Sequence, residues 1–181
     1  GPGTGARALI ELVRTLLPAA TGAGARLLVN DRVDVAAVAG ADGVHLGERS
    51  LPVAAARGLL PATALVGASV HRIDRARELA TEGADYLVAG TVFATPSHPD
   101  RPGRGPEWLG RVVRAAARPV LAIGGISPER VAPCVAVGAH GVAVLRGVWD
   151  AGDPAEAVAG YLKRLAAAPG AAAGTRAREA P

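Results

Sequence analysis

The sequence GADGVHL at residues 40–46 decides the fold, because two later stretches of the chain repeat its pattern. GADYLV occupies residues 83–88, and GAHGVAV occupies residues 138–144. Each copy follows an Ala/Val/Leu-rich stretch of helical character, and glycine commonly ends a helix. Each copy also leads into a short apolar run, which is typical of a buried strand. Repeated helix, glycine and strand predict βα units and a parallel sheet.

Working outward from these copies, the hydrophobic pattern predicts short strands rich in Val and Leu, as expected for strands covered on both faces. The six predicted strands lie at residues 26–30, 43–46, 65–69, 86–93, 120–124 and 141–145. Helices are predicted at residues 5–18, 33–39, 52–59, 73–82, 106–117, 128–137 and 154–165. Because a proline lacks the backbone N–H, Pro133 predicts that its helix is short or irregular.

Polar residues follow nearly every predicted strand, which favours a TIM (βα)8 barrel over a doubly wound sheet. They lie at residues 30–31, 69–71, 91–95, 124–125 and 146. A closed barrel has eight strands, so the first two strands are expected to be absent. Three explanations for the two missing strands remain open: the sequence is a fragment, the chain was truncated, or partner chains complete the sheet. Residues 1–165 are predicted to form one incomplete barrel domain, and residues 166–181 a disordered Ala/Gly/Arg-rich tail.

Composition excludes several classes of function. Half of the 181 residues are hydrophobic, but no apolar run approaches the roughly 18 residues of a membrane span. The net charge is +4, yet the arginines alternate with acidic residues and aromatic residues make up only 3%, which argues against nucleic-acid binding. The single Cys134 excludes a disulfide framework and a multi-cysteine zinc site. A cytoplasmic location is expected from this cysteine usage.

Two glycine-bearing strand ends predict a phosphate site. Gly124 and Gly125 lie at the end of the fifth predicted strand, and Leu145 and Arg146 at the end of the sixth. If two strands are missing, these are barrel strands seven and eight, after which backbone N–H groups of such barrels hold phosphate. A branched side chain at Gly125 is then expected to occupy the position of the phosphate oxygens. A tight turn is the alternative explanation for the glycine pair.

An acidic residue and a polar loop add further candidates. Asp31 follows the first predicted strand, where a carboxylate can hold Mg²⁺ against a diphosphate; the alternative role is to cap the next helix, for which Asp34 is the better candidate. Residues 95–105 form a long Gly/Pro-rich loop with a histidine and two arginines, which suits a lid over an anionic ligand. A plain surface loop is the alternative. His71 and His98 are the candidate functional histidines, whereas His45 and His140 are interpreted as structural.

Five motifs, taken together in their order along the chain, resemble those of thiamine phosphate synthase. They are LVNDRVD at 28–34, GADGVHLG at 40–47, GASVH at 67–71, VFATPS at 92–97 and AIGGI at 122–126. The resemblance extends to the thiazole tautomerases, which share the barrel. It implies a (βα)8 fold and an enzyme of thiamine biosynthesis that joins thiazole phosphate to an aminopyrimidine diphosphate and releases pyrophosphate. Its partners would be these phosphorylated small molecules, with neither nucleic acid nor membrane, and open sheet edges would favour self-association into a homo-oligomer.

The resemblance also implies roles for individual residues. Asn30 would contact the pyrimidine diphosphate, Asp31 would hold Mg²⁺, and Ser69 would bind the diphosphate. His98 stands where the family usually has a lysine on the lid. The thiazole phosphate would be contacted by the remaining candidates, which are Thr95, Pro96, Ser97, Gly124, Gly125, Leu145 and Arg146.

Departures from the family pattern leave other functions open. Ser50 stands where the family has a second metal-binding Asp, Arg146 stands where it has a serine, and the Gln-x-Arg-x-Lys motif of its second strand has no match in this sequence. Thr91 stands where the tautomerases carry a histidine. A tautomerase-like isomerase and a catalytically silent phosphate-binding barrel therefore remain as alternatives.

Overall fold

The computed structural model describes residues 4–96 and 102–169, and in these ranges parallel strands alternate with helices. The strands are β1 Leu28–Asn30, β2 Gly43–Leu46, β3 Leu65–Val70, β4 Tyr86–Ala89, β5 Val120–Ile123 and β6 Gly141–Ala143, in the sheet order β1-β2-β3-β4-β5-β6. The α-helices are α1 Ala6–Gly22, α2 Val33–Ala39, α3 Val53–Leu59, α4 Ile73–Thr81, α5 Gly105–Ala116, α6 Val131–Ala136, α7 Arg146–Trp149 and α8 Pro154–Ala167. A 3-10 turn at Pro128–Arg130 precedes α6. All six predicted strands are confirmed.

Contacts divide the chain into two compact units, of which the first comprises Gly1–Ser69 and Glu78–Tyr86. In this unit β1, β2 and β3 pair in parallel, with Val44 of β2 in register between Val29 of β1 and Val66 of β3. Val44 and Val66 are fully buried. Gly43 permits the close approach of β2 and β3, since a Cβ there would lie 1.9 Å from the carbonyl oxygen of Leu65.

The second unit comprises Val70–Arg77 and the chain from Leu87 onward. Here β4 pairs with β5 and β5 with β6, again in parallel. The largest fully buried side chains of this unit come from strands, helices and the loop after β4: Val70, Leu87, Val92, Leu109, Val112, Val120 and Val131. Burial of each such side chain stabilises the fold by roughly 1.5–3 kcal/mol before entropy is counted.

The observed elements differ from the predicted ones at several ends. β4 stops at Ala89 rather than at residue 93, because the N–H groups of Val92 and Phe93 donate across to the carbonyls that end β5 instead of continuing the ladder. β6 ends at Ala143, and the short helix α7, which the sequence pattern missed, follows. α1 continues past Pro18 to Gly22, because an exposed proline removes only one hydrogen bond from a long helix.

The prediction of a short or irregular helix around Pro133 is confirmed by the 3-10 turn and the six residues of α6. Pro133 lies in the first turn of α6, where N–H groups have no intrahelical partner. α8 continues to Ala167, so the first two residues of the predicted tail are helical, and residues 170–181 lie outside the described residues. Among the described helices, none combines the length and apolarity needed to cross a membrane.

Candidate active site

Asp31 directly follows β1 and presents its carboxylate to the loop after β2. Its backbone φ is 62°, a left-handed conformation that Asp adopts more readily than most residues but that remains uncommon. Its Oδ1 accepts hydrogen bonds from the Gly47 N–H at 3.1 Å and from the Ser50 hydroxyl, and its Oδ2 accepts one from the Asn30 amide at 2.9 Å. Asp31 therefore does not cap α2, whose N-cap is Arg32.

Hydrogen bonding keeps the Asp31 carboxyl ionised. The Ser50 hydroxyl is the main cause that holds the pKa of Asp31 below its usual value, and partial burial opposes it. The Gly47 N–H and the nearby His45 also lower this pKa. Asp31 is thus a fixed negative charge at neutral pH.

Ser50, which the resemblance aligns with a second metal-binding Asp, lies against Asp31. Its hydroxyl donates to Asp31 and its Oγ accepts the Gly47 N–H at 2.7 Å. Within the described ranges no group of three or more His, Cys, Asp or Glu residues could hold a metal ion. The donors at this position are the oxygens of Asp31, Ser50 and Asn30. Mg²⁺ prefers oxygen ligands and is commonly held by one or two carboxylates with substrate phosphates, so this set fits a Mg²⁺ ion that depends on a phosphate ligand.

Replacing Ser50 by alanine is expected to raise the pKa of Asp31 toward its ordinary value, because the strongest hydrogen bond to the ionised form is removed. NMR titration of the labelled carboxyl carbons measures this pKa. Asp34 serves as an internal control, since its exposed pair with Arg32 lowers its pKa to about 2 by a separate contact. An unchanged Asp31 midpoint in Ser50→Ala would contradict the assigned hydrogen bond.

His45 orients Ser69, a role that the sequence analysis missed. The His45 Nε2 lies 2.9 Å from the Ser69 Oγ, and its Nδ1 lies 3.3 Å from the Tyr86 hydroxyl, whose ring it stacks on. Burial lowers the pKa of His45, with Asp31 opposing, so the ring is neutral at pH 7. Gly67 makes room for the Tyr86 ring, since a Cβ there would lie 2.0 Å from its Cζ.

The alternation within β2 could have revealed His45. Val44 and Leu46 are buried at 0% and 2% exposure, whereas His45 between them is half-buried. Successive side chains of a strand point to opposite faces. A polar residue flanked by core residues in a parallel strand therefore indicates a site-facing position.

In the second unit, the glycine pair after β5 is required by packing. Gly124 and Gly125 have φ of 97° and 61°, both left-handed. A Cβ on Gly125 would lie 2.5 Å from the Ala94 carbonyl oxygen and 2.8 Å from that of Phe93. The expectation that a branched side chain at Gly125 would fill the phosphate position is therefore corrected: it would collide with the backbone of the preceding loop. Such a substitution tests packing and is no clean test of phosphate binding.

Backbone donors are nonetheless available on both predicted loops. Within the described ranges, the N–H groups of Gly125, Ile126 and Ser127 after β5 have no protein acceptor, nor do those of Arg146 and Gly147 after β6. Unpaired N–H groups of this kind are the donors that bind phosphate oxygens. The glycine pair thus forms a tight turn, and the backbone N–H groups of this turn remain available to a ligand.

Arg130 contacts the Gly124–Gly125 loop, whereas the predicted Arg146 pairs with Asp150. Arg146 donates from Nε to Asp150 at 2.8 Å, and both side chains are about half exposed. Arg130 donates to the Gly125 carbonyl oxygen at 2.7 Å, and its guanidinium lies 4.8 Å from the centre of the Phe93 ring. Leu145, the residue before α7, is 61% exposed. No sequence pattern marked Arg130 apart from its position five residues after Gly125.

His71 is held in one tautomer. Its Nδ1 lies 2.7 Å from the Gly90 carbonyl oxygen, which can only accept, so Nδ1 carries the hydrogen and Nε2 is the basic nitrogen of the neutral ring. Arg104 donates to the His71 carbonyl oxygen at 2.5 Å. Thr95 is half-buried and Pro96 is exposed. Ser97, His98 and the central part of the predicted lid lie outside the described residues.

Comparisons with known proteins agree on one family. Residues 3–148 match the family model described as thiamine monophosphate synthase. The chain is 45% identical over 163 residues to the thiamine-phosphate synthase of Methanoculleus marisnigri, covering 90% of this chain and 77% of that protein. It is 50% identical over 148 residues to the thiamine biosynthesis bifunctional protein ThiM/ThiE of Symbiobacterium thermophilum, covering 81% of this chain and 31% of that protein.

Solved structures extend the likeness to the fold. A thiamine phosphate pyrophosphorylase from Pyrococcus furiosus superposes with a TM-score of 0.83 at 35% identity, covering 91% of this chain and 79% of that one. A 3-hexulose-6-phosphate synthase superposes at 0.70 with 19% identity, covering 86% and 80%, a likeness of fold alone. These matches confirm the predicted TIM-barrel class with six βα units. The chain spans about a third of the Symbiobacterium relative and 47% of a Gloeobacter violaceus thiamine-phosphate synthase.

Proposed function

Because this chain belongs to the thiamine monophosphate synthase family, we propose that it joins a thiazole phosphate to an aminopyrimidine diphosphate and releases pyrophosphate. The observation that carries this proposal is the ionised Asp31 carboxylate, fixed by Gly47, Ser50 and Asn30 at the end of β1. A fixed carboxylate beside oxygen donors suits a cation that accompanies a diphosphate. The tautomerisation of a thiazole releases no diphosphate, so that reaction does not require a carboxylate that holds a metal ion.

In the proposed reaction, the bond between the pyrimidine methylene carbon and the diphosphate oxygen breaks, and the oxygen leaves with the electron pair. The thiazole nitrogen then bonds to the methylene carbon. Catalysis depends on stabilising the charge of the departing pyrophosphate. The thiazole nitrogen gives up no proton in this substitution, so the site needs charge stabilisation and alignment more than a general base.

Ser69 is proposed to donate its hydroxyl hydrogen to the diphosphate. We propose the His45 tautomer that carries its hydrogen on Nε2: in that tautomer the Tyr86 O–H donates to Nδ1, across 3.3 Å, and Nε2–H donates to the Ser69 Oγ, across 2.9 Å. This chain of hydrogen bonds leaves the Ser69 hydrogen available for an anion. A neutral His45, favoured by its burial, is the protonation state that the chain requires.

Asp31, with the oxygens of Ser50 and Asn30, would hold Mg²⁺, which when bound would neutralise part of the diphosphate charge. Asn30 is also proposed to contact the pyrimidine diphosphate. His98 is proposed to approach the diphosphate from the lid in place of the family's lysine. The thiazole phosphate is proposed to bind the free N–H groups after β5 and β6, with contacts from Thr95, Pro96 and Ser97 and from the Leu145–Arg146 turn.

Incubation of the chain with thiazole phosphate, aminopyrimidine diphosphate and Mg²⁺ tests the function. We expect pyrophosphate and thiamine phosphate to form in equal amounts, and only when both substrates are present. Isomerisation of a thiazole phosphate without pyrophosphate release would favour the tautomerase instead. Phosphate-ligand binding with neither reaction would favour a silent phosphate-binding barrel.

Mg²⁺ binding is expected to depend on a phosphate ligand. One carboxylate with neutral oxygen donors holds Mg²⁺ weakly, whereas pyrophosphate supplies the missing anionic ligands. Isothermal titration should therefore detect little Mg²⁺ binding to the free chain and clear binding when pyrophosphate is present; Mg²⁺ binding to pyrophosphate alone is the blank to subtract. Tight binding to the free chain would mean that a second anionic ligand exists.

A further inference from the structure

The hydroxyl of Tyr161 lies against both loops that carry the free backbone N–H groups. Tyr161 belongs to α8 and is only 6% exposed. Its O–H donates to the Ile126 carbonyl oxygen at 3.0 Å, on the loop after β5. After β6 it faces Gly147, in the first turn of the short helix α7, where a Cβ would lie 2.3 Å from the hydroxyl oxygen. One phenol group therefore contacts the backbone of each loop.

The glycine at position 147 and the tyrosine at position 161 are matched, because the tyrosine hydroxyl occupies the space that a side chain at 147 would need. Gly147 is not among the residues of left-handed φ, so its backbone conformation is open to any residue. The nearest atom that a side chain there would meet is the Tyr161 hydroxyl oxygen at 2.3 Å, followed by Val144 Cγ1 at 3.0 Å. A phenylalanine at 161 would fill the same buried space, but it would leave the buried Ile126 carbonyl without its donor, which is unfavourable.

The hydrogen bond to Ile126 also aims an N–H group. In a trans peptide the carbonyl and the next N–H point in opposite directions. Fixing the Ile126 carbonyl toward α8 therefore directs the Ser127 N–H away from α8. This N–H is one of those with no acceptor in the described part of the chain.

From these contacts we propose that Tyr161 is a positioning residue for phosphate-monoester binding: it sets the spacing of the loops after β5 and β6 and orients the Ser127 N–H. This inference rests on the proposed function, in which the thiazole phosphate binds these loops. Tyr161 itself does not contact the ligand. Its hydroxyl acts through the two backbones that it holds.

A double-mutant cycle with Tyr161→Phe and Gly147→Ala tests the proposal, with thiazole phosphate binding measured by titration calorimetry. Tyr161→Phe should weaken binding about three- to tenfold, the size of one lost hydrogen bond. It should raise KM for thiazole phosphate by the same factor while kcat and KM for the diphosphate substrate stay within twofold. Gly147→Ala should weaken binding by about as much, because the new Cβ displaces the hydroxyl.

In the Tyr161→Phe background, Gly147→Ala should have a clearly smaller effect than in the unmodified chain, because the neighbours that remain, Val144 Cγ1 at 3.0 Å and the ring Cζ at 3.2 Å, lie farther from the new Cβ than the hydroxyl oxygen at 2.3 Å. Val112→Ala is the control: it removes buried volume from α5 and should lower stability while leaving the affinity unchanged.

The possible failures are distinguishable. Absence of thiazole phosphate binding by the unmodified chain would overturn the proposed function and the positioning role together. Binding by the unmodified chain with unchanged affinity in Tyr161→Phe, or fully additive effects of the two substitutions, would overturn the positioning role alone. A loss in Val112→Ala equal to that in Tyr161→Phe would also overturn it, because the effect would then follow stability.

Discussion

Asp31→Asn is expected to lower the rate of pyrophosphate release on the order of a hundredfold to a thousandfold, the loss typical when a fixed charge-stabilising group is removed. The substitution keeps the size of the side chain, and Asn adopts the left-handed conformation at this position as readily as Asp. It removes the negative charge that would hold Mg²⁺ against the diphosphate, and it replaces one carboxylate oxygen by an NH2 group, which cannot accept the hydrogen bond that Asp31 Oδ2 accepts from Asn30. Folding should be unaffected, which circular dichroism can verify.

Asp34→Asn is the matched control for this experiment. Asp34 lies three residues away, is exposed, and pairs with Arg32 at 2.5 Å. An exposed pair of this kind contributes little to stability, about 1 kcal/mol or less. Asp34→Asn should therefore retain nearly full activity. If both variants kept their activity, the carboxylate would not serve the reaction and the Mg²⁺ assignment would fail.

The parallel βα architecture followed from the sequence because local signals agreed. Each strand is a short Val/Leu run, and left-handed glycines such as Gly40 and Gly138 stand between helix and strand. Element ends were harder, because they depend on partners distant in sequence. β4 ends early through hydrogen bonds from Val92 and Phe93 to the end of β5, and no local pattern around residue 90 encodes these contacts.

In the candidate site, too, local features could be predicted from the sequence, whereas contacts between distant residues could not. Asp31 could be identified because a carboxylate at a strand end is a local feature. His45 was assigned to structure, since its tie to Ser69 arises only when β2 and β3 pair. Arg146 was expected to supply a cation, but Asp150 stands one helical turn later and pairs with it once α7 forms. The contacts of Tyr161 could not be predicted from the sequence, because they depend on how α8 packs against the residues after β5 and β6.

Gly125→Ala is expected to lower the free energy of unfolding by about 2–5 kcal/mol, because it combines a left-handed conformation with an overpacked contact. The new Cβ would lie 2.5 Å from the Ala94 carbonyl oxygen, and neither backbone segment can give way without moving the loop that carries the free N–H groups. Urea unfolding measures the change. Ligand binding should be lost as well.

Gly160→Ala in α8 is the matched control for this prediction, since a Cβ there meets nothing within 4 Å. Alanine in a helix interior is more favourable than glycine by about 0.8–1.0 kcal/mol, so Gly160→Ala should be as stable as the unmodified chain or more stable. The two substitutions add the same methyl group and differ only in backbone conformation and surroundings. Equal stabilities of Gly125→Ala and the unmodified chain would mean that the loop after β5 does not pack on Phe93 and Ala94. The glycine pair would then have no packing role, and the close approach of a bound phosphate would be the remaining reason for glycine at position 125.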